Sequence, residues 1–152
     1  MLQQEEMTTI DFQESELTEQ VGQTARDFAE QHIRPYVMKW DESQEFPLEV
    51  FKEMGKLGLM GVLIPEAYGG AGLGYVEYVK VISEIARVCG SIGLSLAAHN
   101  SLCSGHIMAF ANESQKSRWP LQNSRGENMT ALPSTATARK IVARRNIPPK
   151  QQ

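Results

Sequence analysis

The chain is poor in cysteine, in long apolar runs and, near its start, in basic residues. Its two cysteines, Cys89 and Cys103, are too few and too far apart for a zinc site, and both fall in apolar helical patterns that predict buried free thiols. No apolar run reaches the roughly 18 residues of a membrane span. Residues 1–19 contain no Lys or Arg, unlike a secretory signal or a mitochondrial transit peptide. We therefore expect a protein of a reducing compartment that is cytoplasmic and has no membrane segment.

Charge divides the chain into two parts. Residues 1–119 hold 9 basic and 17 acidic residues, a balance of −8, whereas residues 120–152 hold 6 and 1, a balance of +5. The second part also contains four of the seven prolines and no aromatic residue. This composition predicts one domain over 14–119, a flexible N-terminus over 1–13 and a disordered basic tail over 120–152.

Apolar residues recur at helical spacing before Trp119, and we predict an all-α fold. The first helix is expected to begin after Ser15 as its N-cap and to stop at Pro35, which leaves residues 36–46 as a polar turn. A second helix is expected to start at Pro47, and the short apolar run 62–64 follows it.

The third predicted helix runs from about Tyr75 to Gly90. Its buried side is expected to carry Val76, Val79, Ile82, Ile85, Ala86 and Cys89. Its solvent side is expected to carry Glu77, Lys80, Glu84 and Arg87, with Glu77 and Lys80 as an ion pair at three-residue spacing.

The next helix, over residues 92–110, is apolar nearly all round. A domain of this size can hardly enclose such a helix alone, so we expect contacts with further protein. Its polar residues His99, Asn100 and Ser101 either form a hydrogen-bonded core cluster or line a substrate channel. A last short helix is expected over residues 113–119.

Residues 69–72 read Gly-Gly-Ala-Gly, a loop with two interpretations. It could cradle a phosphate, or it could need glycine for positive φ angles or close backbone approach. It lacks the Walker spacing, and the second interpretation is favoured. No nucleophile, base and orienting group can be assembled from the sequence, and His106 alone makes no metal-ligand set.

Residues 58–61 read Gly-Leu-Met-Gly, and residues 65–72 read Pro-Glu-Ala-Tyr-Gly-Gly-Ala-Gly. In this order the two motifs resemble the N-terminal helical domain of the acyl-CoA dehydrogenase family, which carries Gly-Leu-x-Gly and then Pro-Glu-x-Tyr-Gly-Gly-x-Gly. The family's first helix and the proline that ends it resemble residues 25–29 and 33–35. Its third helix resembles residues 84–87, and its short-chain branch resembles residues 93–119. The resemblance covers residues 14–119.

The resemblance implies a flavoenzyme that oxidises acyl-CoA thioesters. Family members bind FAD between domains, form oligomers, use a glutamate base from a C-terminal domain, and pass electrons to electron transfer flavoprotein. The helix that matches residues 93–102 helps line the acyl pocket there, which makes Ser95, Leu96, His99 and Ser101 the substrate-binding candidates. This chain carries no catalytic or cofactor-binding residue of the family and no metal site, so the expectation is an inactive fragment.

The sequence departs from the family pattern at Pro120. With synonymous codons chosen freely, the frame that starts at the third base of each codon can encode pieces resembling the missing family sequence. We therefore hypothesise a frameshift near Trp119. Two rivals remain: a non-catalytic helical module that pairs with full-length homologues, and a nucleic-acid binder that uses the basic tail.

Overall fold

The structure is a computed structural model that describes residues 14–116 and Ser124. These residues are helical and contain no strand, so the predicted all-α fold is confirmed for them. The α-helices are α1 (Glu16–Phe28), α2 (Val37–Ser43), α3 (Leu48–Lys56), α4 (Tyr75–Val88), α5 (Gly90–Ala97) and α6 (Gly105–Phe110). The wider π-helical segments are Ala29–Ile33 and Ala98–Ser104, and the tighter 3-10 turns are Arg34–Tyr36, Leu59–Gly61 and Glu66–Tyr68.

The start of α1 agrees with the prediction, but its end does not. Ser15 caps the helix by accepting a 3.1 Å hydrogen bond from the Thr18 backbone N–H. The helical path does not stop at Pro35; it continues through the π-helical and 3-10 segments into α2. The predicted polar turn over 36–46 is therefore wrong for residues 36–43 and right only for residues 44–46. Pro35 is tolerated because it lies in the first turn of a new helical segment, where its missing N–H is not needed.

The core lies where α1 packs on α4 and α4 packs on α5. Thr18 of α1 lies beside Glu77 of α4, and Arg26 lies beside Glu84, so the two helices run parallel. The fully buried apolar side chains are Ala25, Ala29, Ile33, Phe51, Met54, Met60, Val81, Ile85 and Leu96. Burial of this kind is the main favourable contribution to folding.

The predicted faces of α4 are partly wrong. Val76 and Val79, expected inside, are 65% and 58% exposed, whereas Glu84, expected in solvent, is 7% exposed. Glu84 can be buried because Arg26 of α1 donates two hydrogen bonds to its carboxylate, at 2.9 and 2.7 Å. The contact surface of α1 thus decides which side of α4 is inside.

The predicted Glu77–Lys80 ion pair is absent. Glu77 instead accepts hydrogen bonds from the Thr18 hydroxyl, at 2.7 Å, and from the Gly74 backbone N–H, at 3.0 Å. Lys80 reaches the Glu14 carboxylate, with Nζ 2.8 and 2.6 Å from its two oxygens. Each side chain thus bonds a residue at or just before the start of α1 rather than the other.

The predicted helix over 92–110 consists of α5, the π-helical segment Ala98–Ser104 and α6. The third helix ends at Val88, two residues before the predicted stop, and Gly90 opens α5. Gly93 allows α5 to approach α4 closely, because a Cβ added there would lie 2.6 Å from the Ala86 Cβ. Cys103 is buried, as predicted, whereas Cys89, between the two helices, is only half-buried; neither forms a disulfide.

The glycine loop, residues 69–74, uses its glycines for conformation and close approach. Gly69 and Gly72 have φ angles of 81° and 65°, in the left-handed region that favours glycine. Gly70 is pressed against the chain at Ile64: an added Cβ would lie 2.0 Å from the Ile64 carbonyl oxygen. The interpretation of this loop as a structural one is confirmed.

Three of the predicted segments lie wholly or partly outside the described residues. These are the flexible segment 1–13, the end of the short helix predicted over 113–119, and the tail over 120–152 apart from Ser124. The described start of that short helix is residues 113–116. Asn112 and Gln115 cap it reciprocally, each side chain bonding the other's backbone N–H at 3.0 Å.

Replacing Gly70 by Ala should destabilise the protein by about 2–3 kcal/mol, because the new methyl group cannot be placed without moving the Ile64 backbone. Thermal and urea unfolding followed by circular dichroism would measure the loss. Gly90→Ala is the matched control, since nothing lies within 4 Å of a Cβ there, and it should be neutral or slightly stabilising. Equal stability of the two variants would contradict the close approach.

Replacing Glu84 by Gln should cost about 1–2 kcal/mol at pH 7, less than for a fully buried pair because Arg26 is half exposed. The pKa of Glu84 is lowered from its ordinary value, first by the hydrogen bonds from Arg26 and then by the positive charge of Arg26. The hydrogen bond and charge of Arg87 lower it further. The stabilisation is therefore complete above the unfolded pKa and is lost as pH falls through the folded pKa.

Urea unfolding between pH 7 and pH 3 would check this: wild type and Glu84→Gln should differ most near neutrality and converge in acid. The control is Glu53→Gln, which removes an exposed ion pair between Glu53 and Lys56 within α3. It should change the free energy of unfolding by less than about 0.5 kcal/mol. A constant difference at all pH values would argue against the ion pair.

Candidate functional site

Two of the four substrate-binding candidates are inside the fold. Leu96 is fully buried and belongs to the core between α1, α4 and α5. His99, at the start of the second π-helical segment, is also fully buried. Neither side chain reaches the surface of the described structure.

The other two candidates, Ser95 and Ser101, are half-buried and bond to their own helix. The Ser95 hydroxyl donates to the Ser91 carbonyl at 2.9 Å, and the Ser101 hydroxyl donates to the Ala97 carbonyl at 2.7 Å. Such bonds to the carbonyl four residues earlier let a hydroxyl sit on an apolar helix without an unpaired donor.

Ser95 also lines a groove of about 600 Å³ at the start of α5. The opposite wall comes from α2 and residues 44–47, and includes the aromatic rings of Trp40 and Phe46. The half-buried thiol of Cys89 lies in the same groove. Of the four candidates, only Ser95 is in contact with this space.

Asn100 is the most constrained polar residue of the site. It is fully buried; its amide nitrogen donates to the Leu59 carbonyl at 3.0 Å and the Leu96 carbonyl at 3.3 Å, and its oxygen accepts from the Val62 backbone N–H at 3.1 Å. The side chain thus ties the π-helical segment to the turn that precedes the glycine loop. The prediction of a hydrogen-bonded core cluster is confirmed for Asn100.

An apolar ridge runs along the outer side of α5, the π-helical segment and α6. Leu94, Leu102 and Phe110 are 72%, 52% and 46% exposed. In a continuous α-helix Leu94 and Phe110 would lie about 160° apart around the axis. The wide turns of Ala98–Ser104 advance less per residue, which brings all three side chains to the solvent side.

Sequence reasoning expected residues 92–110 to need contacts with further protein, but it did not identify which side chains form the uncovered surface. Residues 92–110 are apolar on nearly every face, so no periodic signal separates the inner face from the outer one. A π-helical segment also changes the spacing on which such a signal depends. The one sequence signal for the exposed side chains was their regular spacing: Leu94, Leu102 and Phe110 are each eight residues apart.

The glycine loop does not fit a phosphate or the pyrophosphate of a dinucleotide cofactor. The backbone N–H groups of four successive residues, from Gly70 to Leu73, already donate to carbonyls of residues 61–65, which precede the loop, at 3.3, 2.9, 2.8 and 2.9 Å. A phosphate cradle needs such groups to be available to the ligand. The loop is a structural element.

Tyr68 links the glycine loop to the turn after α6. Its hydroxyl donates to the Glu113 carboxylate at 2.7 Å. This bond, together with nearby Lys116, lowers the pKa of Glu113, and the same carboxylate raises the pKa of Tyr68. The pair is exposed, so it orients the turn rather than activating either group for acid–base chemistry.

Over residues 14–116, no cluster of three or more His, Cys, Asp or Glu side chains could hold a metal ion. The helices described there are also all too short or too polar to cross a membrane.

Known proteins match this chain over most of its length. The family model described as "Acyl-CoA dehydrogenase, N-terminal domain" matches residues 15–127. The short-chain specific acyl-CoA dehydrogenase of Clostridium acetobutylicum is 37% identical over 122 residues, which are 80% of this chain and 32% of that protein. The mitochondrial isovaleryl-CoA dehydrogenase of Pongo abelii is 40% identical over 120 residues, 78% of this chain and 28% of that protein.

A solved structure shows the same arrangement of helices. Butyryl-CoA dehydrogenase from Megasphaera elsdenii superposes with a TM-score of 0.73 at 27% identity, covering 78% of this chain and 32% of that one. This chain therefore spans about a third of the length of the relatives it matches. It belongs to the acyl-CoA dehydrogenase family and contains that family's N-terminal helical domain.

Proposed function

We propose that this chain supplies the N-terminal helical part of a flavin-dependent enzyme that oxidises acyl-CoA thioesters to their α,β-unsaturated forms, and that it has no activity alone. The observation that supports this most directly is the exposed ridge of Leu94, Leu102 and Phe110. It lies on the same helices as the four substrate-binding candidates, and large apolar side chains left exposed along one helical stretch are typical of a surface that contacts further protein. The chain also spans only about a third of its relatives.

The residues described here would bind and shield rather than react. The chemistry requires a base that removes the α-proton of the thioester, and bound FAD supplies the acceptor for the β-hydride. Within residues 14–116 the glycine loop does not fit the cofactor, since its amides are already bonded. We assign both the base and the flavin contacts to the two-thirds of a complete enzyme that this chain does not span.

The acyl chain of the substrate would pack against α5 and the π-helical segment. Ser95 and Ser101 are half-buried there, with their hydroxyl groups bonded to their own helix. Leu96 and His99 are fully buried on the same helical stretch, so they would shape the wall from within. An apolar wall excludes water from the reacting thioester, which strengthens the electrostatic interactions that the base and flavin use.

In a complete enzyme we expect electrons to pass to electron transfer flavoprotein and the subunits to form a homo-oligomer. Neither membrane nor nucleic acid has a part in this proposal. The length of the preferred acyl chain depends on pocket residues beyond this chain.

A second candidate function is a non-catalytic helical module that pairs with full-length homologues. The same ridge favours it, because an apolar surface left uncovered can bind the corresponding surface of another chain. Co-expression with a tagged full-length relative would separate the two functions. Co-purification in a fixed ratio supports the module, and aggregation of the lone chain without capture supports the fragment.

We also propose that residues 120–152 are an out-of-frame translation that follows a shift near Trp119. These residues lie outside the described range apart from Ser124, and the proposal is supported by the change in charge and composition. The nucleotide sequence across codon 119 and downstream decides it. A shifted frame that encodes a β-domain and a downstream glutamate is the expected result; its absence would make the tail genuine.

The purified chain, supplied with FAD, butyryl-CoA and an artificial electron acceptor, should show no turnover above background. A chimera should restore activity: residues 15–116 of this chain replace the matching third of the Clostridium acetobutylicum enzyme. A yellow, active chimera supports the assignment, whereas turnover by the lone chain would contradict it.

Within that chimera, Ser95→Leu should raise the KM for butyryl-CoA about tenfold, equivalent to about 1.4 kcal/mol, by filling the acyl pocket. The melting temperature should change little, because Ser95 is half-buried and lines open space. Ser83→Leu on the exposed face of α4 is the matched control and should leave both KM and kcat unchanged. An unaltered KM in Ser95→Leu would remove this residue from the pocket.

A further inference from the structure

The last turn of α5 accepts hydrogen bonds from side chains at the point where the helix widens. The Leu96 carbonyl accepts from the Asn100 amide at 3.3 Å, and the Ala97 carbonyl accepts from the Ser101 hydroxyl at 2.7 Å. The Ala97 carbonyl accepts a further bond, at 3.1 Å, from the hydroxyl of Tyr78 on α4. The π-helical segment begins directly after this turn.

These three bonds favour the wider turns. In an α-helix each carbonyl bonds the backbone N–H four residues later, and a side-chain donor on the same carbonyl competes with that N–H. At the far end of the segment the wider spacing is direct, because the Gly105 N–H donates to the Asn100 carbonyl, five residues earlier. The side-chain donors therefore help to stabilise π-helical bonding over α-helical bonding in this stretch.

Tyr78 differs from the other two donors because it comes from another helix. Its ring is half-buried and packs against the core, which fixes its hydroxyl relative to α4. Tyr78 and Ala97 are 19 residues apart in the chain, so this bond exists only because α4 packs on α5. The bond anchors the start of the π-helical segment to α4, as Asn100 anchors the segment to the turn before the glycine loop.

We infer that Tyr78 is a positioning residue for the acyl pocket: it holds the Ala97 carbonyl, and through that carbonyl the π-helical wall against which the acyl chain packs. Tyr78 acts through the helix and not by contact with the substrate. Because the width of the turns sets where the half-buried side chains of the wall lie, loss of this hydroxyl changes how the wall discriminates between acyl chains. This specificity role rests on the proposed function, whereas the bond to the segment does not.

NMR of the full chain labelled with ¹³C and ¹⁵N tests the bond itself. Tyr78→Phe should move the carbonyl resonance of Ala97 upfield, because this carbonyl loses a hydrogen bond. It should also weaken the scalar coupling between the Gly105 nitrogen and the Asn100 carbonyl carbon. Tyr75→Phe is the matched control, since it removes the hydroxyl of a residue that is 75% exposed on the same helix, and it should leave both signals unchanged. An unmoved Ala97 resonance in Tyr78→Phe would overturn the inference.

Substrate selectivity tests the positioning role in the chimera with the Clostridium acetobutylicum enzyme. We expect Tyr78→Phe to change the ratio of kcat/KM for butyryl-CoA to that for hexanoyl-CoA about fivefold, because the wall is no longer fixed. Tyr75→Phe should leave this ratio unchanged. Thr18→Val is the control for lost stability: it removes a 2.7 Å bond between α1 and α4 and should lower the melting temperature without changing the ratio.

The possible outcomes separate this inference from the proposed function. If Tyr78→Phe lowers the melting temperature as Thr18→Val does but leaves the ratio unchanged, Tyr78 is purely structural and its positioning role is overturned. A chimera that is inactive with Tyr78 in place would contradict the proposed function, and the specificity role would fail with it. In that case the Ala97 resonance would still show whether Tyr78 holds the π-helical segment.

Discussion

The amide of Asn100 is the interaction on which the arrangement of the helices around the candidate site depends. A fully buried amide is tolerated only when its polar atoms are bonded, and here the carbonyls of Leu59 and Leu96 and the N–H of Val62 provide the partners. Val62 in turn accepts from Leu73, at the end of the glycine loop. One side chain thus connects the π-helical segment, the turn after α3 and the loop before α4.

The π-helical segment that contains Asn100 also determines which apolar side chains are exposed. With wide turns at Ala98–Ser104, Asn100 is buried in the core while Leu94, Leu102 and Phe110 are exposed. A regular α-helix of the same sequence would carry Phe110 to the opposite side from Leu94. The geometry that buries one polar residue is therefore also the geometry that presents the apolar ridge.

Electrostatic contacts fix the other half of the domain. Arg26 and Glu84 join the last turn of α1 to the C-terminal half of α4, and Lys80, in the middle of α4, reaches Glu14 just before the start of α1. Glu30, bonded to Arg34 and Arg87, has its pKa lowered to about 2, so it stays ionised over the physiological range. These pairs orient α4 so that Glu84 is inside and Val76 and Val79 are outside.

The sequence by itself determined the all-α class, the N-cap at Ser15, the structural role of the glycine loop and the family. Each depends on local chemistry: helical spacing of apolar residues, a hydroxyl acceptor at a helix start, and glycines with positive φ or no room for a Cβ. Tertiary structure decided the rest. The continuation past Pro35, the inner face of α4, the partners of Glu77 and Lys80, and the ridge on α5 and α6 all depend on which helices meet. Residues 58 or more positions apart in the chain, such as Arg26 and Glu84, make the contacts that overrule local pattern.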